Sequence, residues 1–106
     1  MASGILGQVG ISTVSTHHTV YTVPASTLAV VNINIVNRSA SSATARLAIS
    51  AGDTPSNAEY IEYDASLDAS GVLERTGIVL NASKNIVAYA STTAISVAVY
   101  GIEESV

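Results

Sequence analysis

Apolar, mostly β-branched residues recur at every second position along several stretches of this chain, and that period of two narrows the possible folds more than any other feature. In Leu28-Ala29-Val30-Val31-Asn32-Ile33-Asn34-Ile35-Val36, Val31, Ile33 and Ile35 fall on one side, and Asn32 and Asn34 on the other. Leu47 and Ile49 share a side opposite Arg46, and Ile95, Val97 and Val99 share another. Successive side chains of a strand point to opposite faces, so this pattern describes strands with one face buried. Further strands are expected at His18 to Val23, ending at Pro24, and at Ala58 to Asp64, with Tyr60 and Glu62 opposite Ile61 and Tyr63. Val72 to Arg75, Ile78 to Leu80 and Ile86 to Ala90 complete the set. Turn-forming residues separate them at Pro24-Ala25-Ser26, Asn37 to Ser42, Gly52 to Asn57, Asp68 to Gly71 and Asn81 to Lys84. No stretch of helix length repeats with a period of 3.6, although a single helical turn is allowed near Asn57.

Seven to eight short strands at this spacing predict an all-β fold, an antiparallel β-sandwich of the jelly-roll or immunoglobulin-like kind. The 106 residues suit one domain. A chain of this size buries roughly 65% of its unfolded surface, enough for one core without staples. With no cysteine, no disulfide or thiolate metal site supports it. Residues 1–16 read differently from the rest. They hold three glycines and several Ser and Thr, and predict an extended N-terminal arm before a domain at 17–106. Ile5, Leu6, Val9 and Ile11 would let such an arm dock on a neighbouring subunit.

Charge sets the second constraint. Only 11% of residues are charged, against about 25% in an ordinary soluble domain, while 48% are hydrophobic. A β surface with so few charges favours association. Arg38, Arg46, Arg75 and Lys84 form no basic stripe, so nucleic acid is not an expected partner. No apolar run approaches 18 residues and no charged n-region precedes an apolar segment, so neither a membrane helix nor a secretory signal is expected.

The residues that could carry chemistry do not converge. His17 and His18 are neighbours that a strand would point to opposite faces, which favours exposed histidines at a strand start over a metal site. The acidic run Glu59-Tyr60-Ile61-Glu62-Tyr63-Asp64, with Asp68 and Glu74, lacks the spacing of a calcium loop. A paired-carboxylate glycosidase would need an aromatic-lined cleft, and the chain has five tyrosines but no Trp or Phe. No nucleophile elbow or phosphate loop occurs. Asn37-Arg38-Ser39 and Asn81-Ala82-Ser83 match the glycosylation triplet but read as turn asparagines. Glu62 or Glu74 is expected to pair with Arg46 or Arg75, within or between subunits. The tyrosines, Tyr100 among them, are expected to close the core or a subunit interface. The chain therefore reads as non-enzymatic, with no cofactor.

Four stretches carry a resemblance. They are Thr19-Val20-Tyr21-Thr22-Val23-Pro24-Ala25 with Val31-Asn32-Ile33-Asn34-Ile35-Val36-Asn37-Arg38, then Glu59-Tyr60-Ile61-Glu62-Tyr63-Asp64, then Gly71 to Leu80, and finally Val97-Ala98-Val99-Tyr100-Gly101-Ile102-Glu103-Glu104. Together they resemble small virion structural proteins of tailed phages, including phages of marine cyanobacteria. The resemblance implies an oligomeric particle component assembled in the host cytoplasm, and it carries no catalytic motif. A capsid decoration or cement protein, trimeric and bound to the major capsid protein, is the first expectation. A tail, baseplate or fibre-associated module is the second, and a host- or glycan-binding module the third.

Overall fold

The computed structural model of the chain describes residues 3–106. Eight strands run in chain order: β1 (Ser3–Gly10), β2 (His18–Thr22), β3 (Thr27–Asn37), β4 (Ala43–Ser50), β5 (Tyr60–Leu67), β6 (Val72–Leu80), β7 (Asn85–Ala90) and β8 (Ile95–Ser105). A single 3₁₀ turn at Asn57–Glu59 precedes β5. The strands form two four-stranded antiparallel sheets, ordered β1-β8-β3-β6 and β2-β7-β4-β5. Pairing joins first to last throughout: β1 with β8, β2 with β7, β3 with β6 and β4 with β5. A four-plus-four hairpin rolled into two sheets gives this order, which is the jelly roll. The order excludes the immunoglobulin-like alternative, in which the strands divide as ABED and CFG.

The core follows from the alternation. Val31, Ile33 and Ile35 of β3, Val97 and Val99 of β8, Leu47 of β4 and Ile86 of β7 are almost fully buried between the sheets, and Ile49 packs against them. These are aliphatic side chains of high strand propensity, and burying each contributes about 1.5–3 kcal/mol. Asn37 ends β3 fully buried and organises the turn after it. Its Nδ2 donates to the carbonyls of Ser41 (2.9 Å) and Asp68 (3.0 Å), and its Oδ1 accepts from Ser39 N (3.1 Å). That accounts for each polar atom of a buried amide.

Two expectations change. The N-terminal segment is no free arm. Residues 3–10 form β1, an edge strand hydrogen-bonded to β8 from Ser3↔Ile102 to Gly10↔Ser96, while Met1 and Ala2 of the expected arm lie outside the described residues. Glycines hide the strand in the sequence, yet one of them is required. A Cβ on Gly7 would lie 2.3 Å from the carbonyl oxygen of Val20, so β1 reaches β2 only because that side chain is missing. The pieces at Val72 to Arg75 and Ile78 to Leu80 are also one strand, β6, interrupted by a bulge in which Gly77 takes φ +66° and its N–H donates to Asn32 Oδ1 (3.1 Å).

Register shifts fall only on the edges. The central ladders β3·β8 and β4·β7 run without interruption. The edge strands β1, β2 and β6 each carry one irregularity, and β5 carries two.

Candidate interaction surfaces

The outward side of the β2-β7-β4-β5 sheet holds the densest cluster of functional side chains. Arg46 of β4 stands opposite Tyr89 of β7. Its guanidinium carbon lies 4.4 Å from the Tyr89 ring centre and 4.1 Å from that of Tyr63. It also grips Asp64, with Nε at 2.7 Å and Nη2 at 3.3 Å from the two carboxylate oxygens. The His17 ring also packs against Tyr89 at 5.0 Å, and His17 Nε2 lies 3.1 Å from the Tyr60 hydroxyl. Tyr60 meets Tyr63 edge-on at 5.0 Å. The Asp64 hydrogen bond holds the Arg46 guanidinium protonated well above its usual range, and Arg46 holds the Asp64 carboxyl below the usual carboxylate range.

A bulge makes this cluster. Between Ala45↔Ala65 and Leu47↔Glu62, β5 spends one residue more than β4, so Tyr63 and Asp64 together oppose Arg46. Asp64 takes φ +51°, a left-handed conformation unusual for a residue with a side chain. Strict alternation would have put Tyr63 inward with Ile61. With the bulge it is exposed and shares a face with Tyr60. His17, expected to be solvent-exposed, is half-buried against Tyr89, and His18 donates from Nδ1 to the Thr16 carbonyl (2.9 Å). Among the described residues, no three His, Cys, Asp or Glu side chains converge on a metal position.

Beside the cluster, the segment after β4 lies over the same sheet. The Glu59 carboxylate accepts from Ser56 N (2.8 Å), Ala51 N (3.0 Å) and Ser50 Oγ (3.3 Å), and Thr19 donates to Asp53 (2.9 Å). The amides of Ser56 and Ala51 keep the Glu59 carboxyl below its ordinary range. Ala48 and its neighbour Val87 face outward and are nonetheless buried beneath this cover.

The outward side of the β1-β8-β3-β6 sheet is different in kind. The register places its side chains in five rows: Leu28 and Glu104; Ser3, Ile102, Val30 and Val79; Ile5, Tyr100 and Asn32; Gln8, Ala98, Asn34 and Glu74; Gly10, Ser96, Val36 and Val72. Glu74 and Glu104 are the charged side chains among them, and Arg38 reaches the same face by donating from Nε to Ser96 Oγ (2.8 Å). Ile5, Val72, Val79 and Ile102 are 46–62% exposed, four of the seven large hydrophobic side chains exposed among the described residues. A shallow groove of about 380 Å³ crosses the face between Gln8, Asn34, Val36 and Ala98.

No protein-family model, curated protein or solved structure matches the chain.

The residues singled out from sequence are distributed over these surfaces. Ile5 lies on the open face beside Tyr100, Leu6 and Val9 pack partly against the core, and Ile11 is buried in it. Glu62 pairs with Arg75 at 3.1 Å, linking the edge strands of the two sheets. Arg46 takes Asp64 as its partner, and Glu74 stands on the open face. Of the tyrosines only Tyr21 is buried. Its hydroxyl donates to the Glu103 carboxylate, and burial first, then that carboxylate, raises its pKa far above the normal phenol value. Sequence reading missed the Arg46 cluster, because its members come from four separate segments and meet only through pairing and the Asp64 bulge.

Proposed function

We propose that this chain is a non-enzymatic structural subunit of a tailed-phage particle, associating with its own copies and with the head surface as a decoration protein, with a trimer as the expected oligomer. The observation that carries the reading is the open face of the β1-β8-β3-β6 sheet. It presents four exposed aliphatic side chains, with Glu74 and Glu104 as the carboxylates of its rows. Apolar patches of this kind mark association sites, and the low overall charge leaves little to oppose contact. The jelly roll suits the role, since viral coat domains use it, although lectins and cupins do too. The resemblance of residues 19–104 to virion proteins supplies the particle.

Light scattering coupled to size exclusion, followed by immunogold labelling of particles, tests the proposal. The expected results are an oligomer in solution that Val79→Glu with Ile102→Glu dissociates, and uniform label on heads. A monomer at all concentrations refutes the assembly reading. Label confined to tails would instead place the subunit with the tail or fibre.

The Arg46 cluster favours one second reading, a glycan-binding module. Tyr63 offers an exposed ring beside the Asp64 carboxylate, a stacking surface next to a hydrogen-bond acceptor. Saturable binding of neutral hexosides, lost in Tyr63→Ala, would support that reading; no binding across a glycan array would exclude it.

A further inference from the structure

β1 differs from the other seven strands in one respect: none of its eight residues is buried. Every other strand places at least one side chain in the buried class. Three of the eight residues are glycines, which weaken a strand, and its ladder to β8 is broken by the extra residue Leu6. What fixes the N-terminal segment comes immediately afterwards. Ile11 is 3% exposed, and its N–H donates to the Ile95 carbonyl at 2.9 Å. Between strand and anchor stands Gly10, around whose Cβ position there is open space. β1 is thus a weakly held strand on a glycine hinge beside a firmly held residue.

Releasing β1 uncovers the backbone edge of β8 from Ser96 to Ile102, at the side of the open apolar face. An unpaired edge is a template for another strand. The strand that fits it residue for residue, bulge included, is the β1 of a second copy. We propose that copies of this chain exchange β1, each laying Ser3–Val9 on the β8 of a neighbour while Gly10 turns as the hinge and Ile11 stays in its own core. Every β1–β8 hydrogen bond lost in one copy is regained in the other. The balance between closed monomer and exchanged oligomer is then set by concentration and by the hinge. The inference rests on the assembly reading above and specifies its partner and mode.

The absence of cysteine makes the test clean. Gln8 and Ala98 are direct cross-strand partners, as are Ser3 and Ile102. Facing Cβ atoms in such pairs lie close enough for a disulfide to form with small adjustment. The double variant Gln8→Cys with Ala98→Cys is oxidised as the assembled protein and run on denaturing, non-reducing gels. Ser3→Cys with Ile102→Cys, at the far end of the strand from the hinge, serves as a second pair should the first fold poorly. Exchange predicts that most of the oxidised oligomer runs as covalently linked chains, with mapped peptides joining position 8 of one chain to position 98 of another. Mixing isotopically light and heavy chains identifies those links as intermolecular. An oligomer whose disulfides are all within single chains overturns the exchange and leaves the assembly reading standing. A protein that is monomeric at every concentration overturns both.

Discussion

Two glycines face almost the same steric problem in this fold and should respond to substitution very differently. A Cβ on Gly101 would lie 2.1 Å from the Val30 carbonyl oxygen and 2.8 Å from Val31 Cα; one on Gly7 would lie 2.3 Å from the Val20 carbonyl oxygen. Ordinary contact begins near 3.4 Å, so each Gly→Ala substitution requires backbone to withdraw by more than 1 Å. Gly101 sits in β8 facing β3, the uninterrupted central pair, and β3 is held on its other side by β6. Nothing there can withdraw without breaking a ladder. Overpacking of this kind costs about 1–3 kcal/mol or more. Gly101 also has φ +156°, at the margin of what a side chain accepts, which adds about 1–2 kcal/mol. Gly101→Ala should therefore lose about 2–5 kcal/mol, a large share of the roughly 5–15 kcal/mol that holds a domain together. At about 4–8 °C per kcal/mol, Tm falls by roughly 8–40 °C. Gly7 lies on an edge strand with no buried side chain, so β1 can lift away. Gly7→Ala should lose only about 1–2 kcal/mol. Thermal melts by circular dichroism give both values, and amide exchange should show the Gly7→Ala loss confined to β1 and the facing edge of β8. A Gly101→Ala protein melting within a few degrees of wild type, or a Gly7→Ala protein as unstable as Gly101→Ala, would refute this account of which strands can yield.

Three further outcomes follow from the ionisable groups. Asp64 and Glu59 have folded pKa values below their unfolded ones, so their stabilisation is present above about pH 4 and is lost as pH falls through the depressed folded values; Asp64→Asn should flatten the acid limb of Tm against pH. Tyr21 has the opposite sign: its raised folded pKa contributes stability below about pH 10 that declines above it as the unfolded phenol ionises, so alkaline unfolding should begin there and be blunted in Tyr21→Phe. The Arg75–Glu62 pair is partly exposed, and a double-mutant cycle by urea denaturation should return a coupling of about 0.2–1 kcal/mol, falling with added salt.

The sandwich was legible because its central strands report burial directly. Val31, Ile33 and Ile35 alternate with asparagines, Ile95, Val97 and Val99 with small residues, and these positions line the core. β1 was not legible, because a strand with no buried side chain and three glycines has no alternation to display. The Glu62–Arg75 pair lay within the expected set of ion pairs, but its geometry depends on two edge strands meeting across the sandwich. The Arg46 cluster was beyond reach for a related reason. A bulge is defined by the partner strand, so the Tyr63 and Asp64 side chains acquire a common face only once β4 is alongside.

The confinement of every register shift to an edge strand bears on how a β chain with so few charges avoids edge-to-edge pairing. Few charges repel one copy of the chain from another. Asp, Glu and Arg side chains guard only two of the four edge strands, Glu62 and Asp64 on β5 and Glu74 and Arg75 on β6, so geometry has to add to their protection. An approaching foreign strand can match β2, β5 or β6 for only a few residues before an irregularity throws it out of step. Misaligned stacking into fibres is thereby starved of long straight templates. Straightening one of these irregular outermost strands is the change that should favour amyloid-like growth of this chain.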